Sequence, residues 1–136
     1  MAKSKLNIDK SFGVGHHLAL LLLRLGLGFM MITHGWPKAQ KLFSGSDIVF
    51  ADPLGVGTKV SLVLTVFAEV ICSVLIILGI GTRWAVVPLI ATMLVAIFIV
   101  HGGDPIGDKE MGILYGVGYI ILLAFGEGKY AVSKLV

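Results

Sequence analysis

The chain has 136 residues, 57% of them hydrophobic, and a mean hydropathy of +0.97, well above the apolar share of about 45 to 50% usual in soluble domains. So short a chain cannot bury that many apolar side chains away from water, which excludes an ordinary soluble domain and indicates a membrane protein. The formal charge is only +3, with 11 Lys/Arg and 8 Asp/Glu scattered along the chain, and the lack of any basic block excludes a nucleic-acid partner.

The first apolar run covers residues 17 to 36 and follows Lys3, Lys5 and Lys10. It mimics a signal peptide, but Arg24 interrupts the apolar stretch and no small-residue cleavage site follows, so it is expected to be retained. Arg24, Gly28, Met31 and Gly35 fall on one helical face. The run closes on His34, Trp36, Pro37 and Lys38. The next stretch, "PKAQKLFSGSDIVFADPLGVGT", has enough Pro, Gly, Ser and Asp to end the helix and turn.

The second run, 60 to 80, carries Glu69, with Thr65, Cys72 and Ser73 on the same small, partly polar face. "GIGTR" makes a tight turn into the third run, 84 to 101, where Pro88 predicts a kink near the start and His101 stands at the end. "HGGDPIGDKE" then leads to Glu110, placed where a helix N-terminus favours a carboxylate. The fourth run, 111 to 127, is glycine-rich, and its "GILYG" either packs another helix or reflects only the general abundance of glycine in membrane helices.

Each run is near the roughly 17 to 25 residues that cross hydrocarbon, and a barrel would show alternating ten-residue segments instead. The expected fold is therefore all-α, an integral membrane bundle of four antiparallel helices in a single domain spanning residues 1 to 136. Six Lys/Arg on the side of the termini against four on the other (Lys38, Lys41, Lys59 and Lys109, accompanied by Asp47, Asp52, Asp104, Asp108 and Glu110) predict that both termini are cytoplasmic.

Two groups of ionisable residues stand within or beside the spans. With Trp36 and Lys59 taken as markers of one boundary, Arg24 lies twelve residues and Glu69 ten residues into their helices, depths of roughly 18 and 15 Å. This predicts a buried Arg24–Glu69 pair, which either fixes the helix register or lines a polar cavity. His34, Lys38, His101 and Glu110 form the second group, delivered by three helices to one level. They are either headgroup anchors or a site of proton-coupled chemistry on a quinone or a thiol-derived substrate. His16 and His17 read as interfacial, Cys72 as a small buried hydrophobe, and haem ligation by His34 and His101 is a weak alternative. The lone Cys72 allows neither an intrachain disulfide nor a CxxC relay, and no zinc cluster is spelled.

The segments "LLRLGLGFMMITHGWPKAQKLF", "FAEVICSVLIILGIGTRWA", "MLVAIFIVH" and "KEMGILYGVGYIILLAFGEGKYAVSKLV" resemble the DoxX family of small bacterial membrane proteins. That family is similar to subunits of thiosulfate:quinone oxidoreductase, and members are associated with membrane assemblies that handle sulfur compounds or oxidative stress. By matching position the resemblance singles out Arg24, His34, Gly35, Lys38, Glu69, His101 and Glu110. The tail "FGEGKYAVSKLV" departs from the family's Gly-Pro-Gly ending. The resemblance implies a subunit of a quinone-linked oxidoreductase in the bacterial plasma membrane, with His34, His101 and Glu110 handling protons and Arg24, Lys38 and Glu69 binding substrate. A quinone would be the cofactor, and none is expected to be covalently bound. The partners expected are the lipid bilayer, a peripheral redox enzyme or second membrane subunit, and a second copy of the chain. A noncatalytic scaffold for peripheral enzymes and a small-solute transporter are the alternatives.

Overall fold

The computed structural model describes residues 13–45 and 50–135; Lys3, Lys5, Lys10 and Asp47, which entered the orientation argument, lie outside these. Helices α1 (Val14–Phe43), α2 (Thr58–Leu78), α3 (Thr82–Val100) and α4 (Glu110–Phe125) follow in order, and there is no strand among the described residues. The chain is an all-α membrane protein. The first three helices, of 30, 21 and 19 residues, measure about 45, 32 and 29 Å and can each cross a hydrocarbon core of about 30 Å. The fourth has 16 residues, about 24 Å, and ends two residues short of the expected 127.

One stripe of each helix faces inward and the remainder is apolar and exposed. On α1 the buried stripe is His17, Leu20, Arg24, Gly28, Met31, Gly35 and Ala39, which follows the 3.6-residue period. Leu22, Trp84 and Phe98 are at least 70% exposed, as side chains that meet lipid rather than water should be. Small residues set the helix spacing. A Cβ on Gly28 would collide with Ile77, one on Gly35 with Glu69 and Val70, and one on Gly118 with Leu27, so α1 packs closely on both α2 and α4. The "GILYG" glycines also pack within the bundle, Gly112 against Ile97 and Gly116 against Met93 of α3.

The α2–α3 turn is built on Gly79. The amide of Gly79 donates to Ile76 O and that of Ile80 to Leu75 O, a Schellman ending that needs the left-handed φ of 72° at Gly79. A Cβ there would also strike Ala131 and stand 2.8 Å from Arg24 Nη2. Away from this turn, the first half of α2, Thr58–Val66, packs chiefly on α1, so α2 and α3 splay apart.

Three features depart from the sequence expectations. Helix α1 does not stop near Trp36 but runs through Pro37 to Phe43; proline there forgoes only the bond to the Thr33 carbonyl. Helices α2 and α3 each contain a π-helical stretch, Phe67–Cys72 and Ala96–Val100, and such widened turns recur at functional sites. His17 is buried rather than interfacial, because the segment after α4 folds over it and the Lys129 amide donates to His17 Nδ1 at 3.0 Å.

Candidate functional site

The expected Arg24–Glu69 pair does not form. Arg24 is 1% exposed and, among the described residues, donates only to backbone carbonyls: Nε to Ile76 O at 2.8 Å, Nη1 to Glu127 O and Tyr130 O at 2.8 Å each, and Nη2 to Ile77 O at 3.0 Å. These partners lie seven and eight residues beyond Glu69 along α2, about 11 Å, and in the segment after α4. The discrepancy has one source. Trp36 does not mark the end of α1, which continues seven residues further to Phe43, about 10 Å, so Trp36 and Lys59 are not at one level.

Glu69 instead holds Lys38, whose Nζ donates to both carboxylate oxygens at 2.8 Å. The Glu69 side chain is 5% exposed and that of Lys38 32%. Continuation of the helix through Pro37 makes this pairing possible, because it carries Lys38 onto the face of Met31 and His34. On the other side, the π-helical stretch of α2 turns Ala68 and Glu69 inward together.

The pair forms part of the wall of a cavity of about 160 Å³ at the end of the bundle away from the α2–α3 turn. His34, His101, Asp108, Lys109 and Tyr115 also line it, beside Met31, Met93 and Met111. Tyr115 stands edge-on to His34, with ring centroids 5.9 Å apart, and stacks on Tyr119 at 6.0 Å. His101 Nδ1 lies 2.9 Å from Asp104 Oδ2; toward a carboxylate the ring nitrogen is the donor, which orients the imidazole. Two cations, two carboxylates, two imidazoles and a phenol thus surround a space with room for a few water-sized groups, a set able to bind a small polar group and exchange protons with it.

Of the residues singled out in the sequence, His34, Lys38, Glu69 and His101 meet at this cavity. Arg24 lies two to three turns away. Glu110 is the first residue of α4, exposed and outside the lining: it stands five residues before Tyr115, about 140° around the helix. Gly35 contributes the close approach of α1 to Glu69. Tyr115, Asp108 and Lys109 were missed; the signal for the tyrosine was a second one at i+4, Tyr119, in an otherwise apolar helix.

The DoxX family model matches residues 19–102, which is 84 of the 136 residues. The chain belongs to the DoxX family. The match takes in Arg24, His34, Gly35, Lys38, Glu69 and His101 and stops before Glu110. No curated protein and no solved structure matches the chain.

A larger groove adjoins the cavity in this DoxX protein. It holds about 560 Å³ between α2 and α3, where the two helices splay. Lys38, Glu69, Met93, Ala96 and His101 line both spaces. Beyond these the groove is mostly apolar, with Leu64, Phe67, Ala91 and Val95 along its sides and Phe50, Ala51, Pro53 and Leu54 of the α1–α2 loop at its end. Asp52 shapes that loop, accepting from Ser61 Oγ at 2.8 Å and from the amides of Val56 and Gly57 at 3.0 Å each. The Ser61 hydroxyl foremost, with the backbone amides of Gly57, Val56 and Gly55, holds the Asp52 carboxyl below the usual carboxylate range against the opposing effect of desolvation.

Proposed function

We propose that this DoxX protein is a subunit of a quinone-linked oxidoreductase system of the bacterial plasma membrane, handling sulfur compounds or oxidative stress, and that the Lys38–Glu69 cavity receives the quinone head group. Both termini are assigned to the cytoplasm, which puts the cavity near the outer surface of the bilayer. The observation that carries the reading is the convergence of His34, Lys38, Glu69, His101 and Tyr115 on one small cavity beside an apolar groove. A carbonyl-bearing ring finds hydrogen-bond donors here in Lys38, Tyr115 and the imidazoles. A quinone would supply the two-electron chemistry that the chain's own residues lack.

The chain's part is binding and proton handling. Lys38 would donate to a ring oxygen of a bound quinone, and Glu69 holds the ammonium in position for this. His34 and His101 can donate and accept hydrogen bonds and pass protons at a bound head group, with Asp104 orienting His101. Electrons would come from the cofactor of a partner enzyme. Arg24 has no part in this chemistry, since its hydrogen bonds hold the opposite end together.

The test is quinol formation, with a reduced sulfur compound supplied as the electron donor, by membranes containing the parent or the His34→Gln and His101→Gln variants, followed across pH. Glutamine retains hydrogen bonding and removes titration. The expected result is folded variants with lower activity and a flattened or displaced pH profile. Parental profiles in both variants would leave the histidines as headgroup anchors.

A further inference from the structure

We infer that the groove between α2 and α3 is the tail channel and lateral entrance of this site, so that the ligand is a membrane amphiphile with a small polar head and a long apolar body that arrives from the bilayer. The inference rests on the head-group reading above. Size is the first argument. Ligand sites for drug-sized molecules hold about 300 to 1,000 Å³; the polar cavity, at about 160 Å³, takes only a head group, whereas the groove, at about 560 Å³, has room for a tail.

The second argument is continuity. Lys38, Glu69, Met93, Ala96 and His101 are wall to both spaces, so one molecule can place its head on the ion pair and its body between α2 and α3. The third is the direction of access. Phe50, Ala51, Pro53 and Leu54 line the loop end of the groove, while Leu64, Phe67 and Ala91 on its flanks are exposed on the apolar surface. The opening therefore faces lipid. Charge is confined to the side shared with the cavity, as an amphiphile requires: Lys38, Glu69 and His101 line both spaces, and only Ser61, Thr65 and Thr92 are other polar side chains of the groove, of which both threonines donate within their own helices, to Ser61 O and Pro88 O.

The experiment separates tail from head. Ala91→Phe and Leu64→Trp fill the groove from opposite walls at lipid-exposed positions, and Ile120→Phe places a phenyl ring on the exposed face of α4, outside the groove. Binding to detergent-purified protein is titrated by native mass spectrometry with two probes, an isoprenoid benzoquinone and the same ring without its chain. The expected result is affinity for the long-chain probe about tenfold lower or worse in both groove variants, with the short probe unaffected and Ile120→Phe like the parent. Unchanged long-chain affinity in both variants, or equal losses for the two probes, overturns the tail channel while leaving the head-group site in place. Parent protein that binds neither quinone, but binds a phospholipid that the groove variants release, keeps the channel and overturns the quinone reading; parent protein that binds no amphiphile overturns both.

Discussion

Replacing Arg24 by methionine, which keeps length and removes charge, should destabilise the bundle by about 3 to 5 kcal/mol. Four of the five guanidinium N–H groups are engaged. Of the four acceptors, Ile76 O also accepts from the Gly79 amide and keeps a partner. Among the described residues the carbonyls of Ile77, Glu127 and Tyr130 accept only from Arg24, and each unsatisfied carbonyl costs about 1 to 3 kcal/mol. Because these three bonds are only partly buried, water reaches some of the freed groups, which favours the lower half of that sum. Arg24→Lys should recover less than half of the loss, since an ammonium cannot reproduce the planar fork. Reversible unfolding in mixed micelles measures the stability. Trypsin gives a second reading: Lys129, exposed in a segment pinned by Arg24, should be cut faster in the variant. The decisive control is the double-mutant cycle of Arg24 with Glu69. The carbonyl cage predicts additivity within about 0.5 kcal/mol, and a coupling above about 1 kcal/mol would refute it.

The same cycle for Lys38→Met and Glu69→Gln should show a coupling of about 1 to 3 kcal/mol, between the values of exposed and buried pairs because Lys38 is one-third exposed; additivity would mean that the pair is not formed in the bilayer. Tyr119 is fully buried and its hydroxyl, with those of Ser73 and Thr82, has no partner among the described residues, so Tyr119→Phe should raise stability by about 1 kcal/mol. A loss on the same micelle unfolding curve would show that the hydroxyl makes a bond in the membrane. The lowered pKa of Asp52 means that its contribution is complete above the unfolded value of about 3.9 and is lost as pH falls through the lower native value. Protease resistance of the α1–α2 loop should therefore persist at pH 5 in the parent and be weaker in Asp52→Asn; equal resistance in the two would remove Asp52 from the loop's architecture.

Helical faces were legible because apolar and small residues recur at the 3.6-residue period. The Arg24–Gly28–Met31–Gly35 stripe and the Glu69–Cys72–Ser73 face both point inward, and Cys72 is buried as expected. Axial level was not legible, because it depends on where each helix ends, and Pro37 reads as an end although the helix absorbs it. That one boundary moved Glu69 from Arg24 to Lys38. Arg24's true partners were beyond reach for another reason: all four are backbone carbonyls, which every residue carries, in a turn and a C-terminal segment whose course no side-chain pattern specifies. The π-helical stretches were hidden as well, since the bonds that define them are main-chain bonds.

Photolabelling with a quinone that carries an azide on its ring tests the head-group site most directly. The expected adducts, located by peptide mass and suppressed by excess unlabelled quinone, fall on the α1 segment His34–Lys38 and the α3 segment Ala96–His101, and Lys38→Met reduces them. Adducts scattered over the lipid-exposed faces around Leu22 and Trp84, undiminished by competitor or by Lys38→Met, would contradict the assignment.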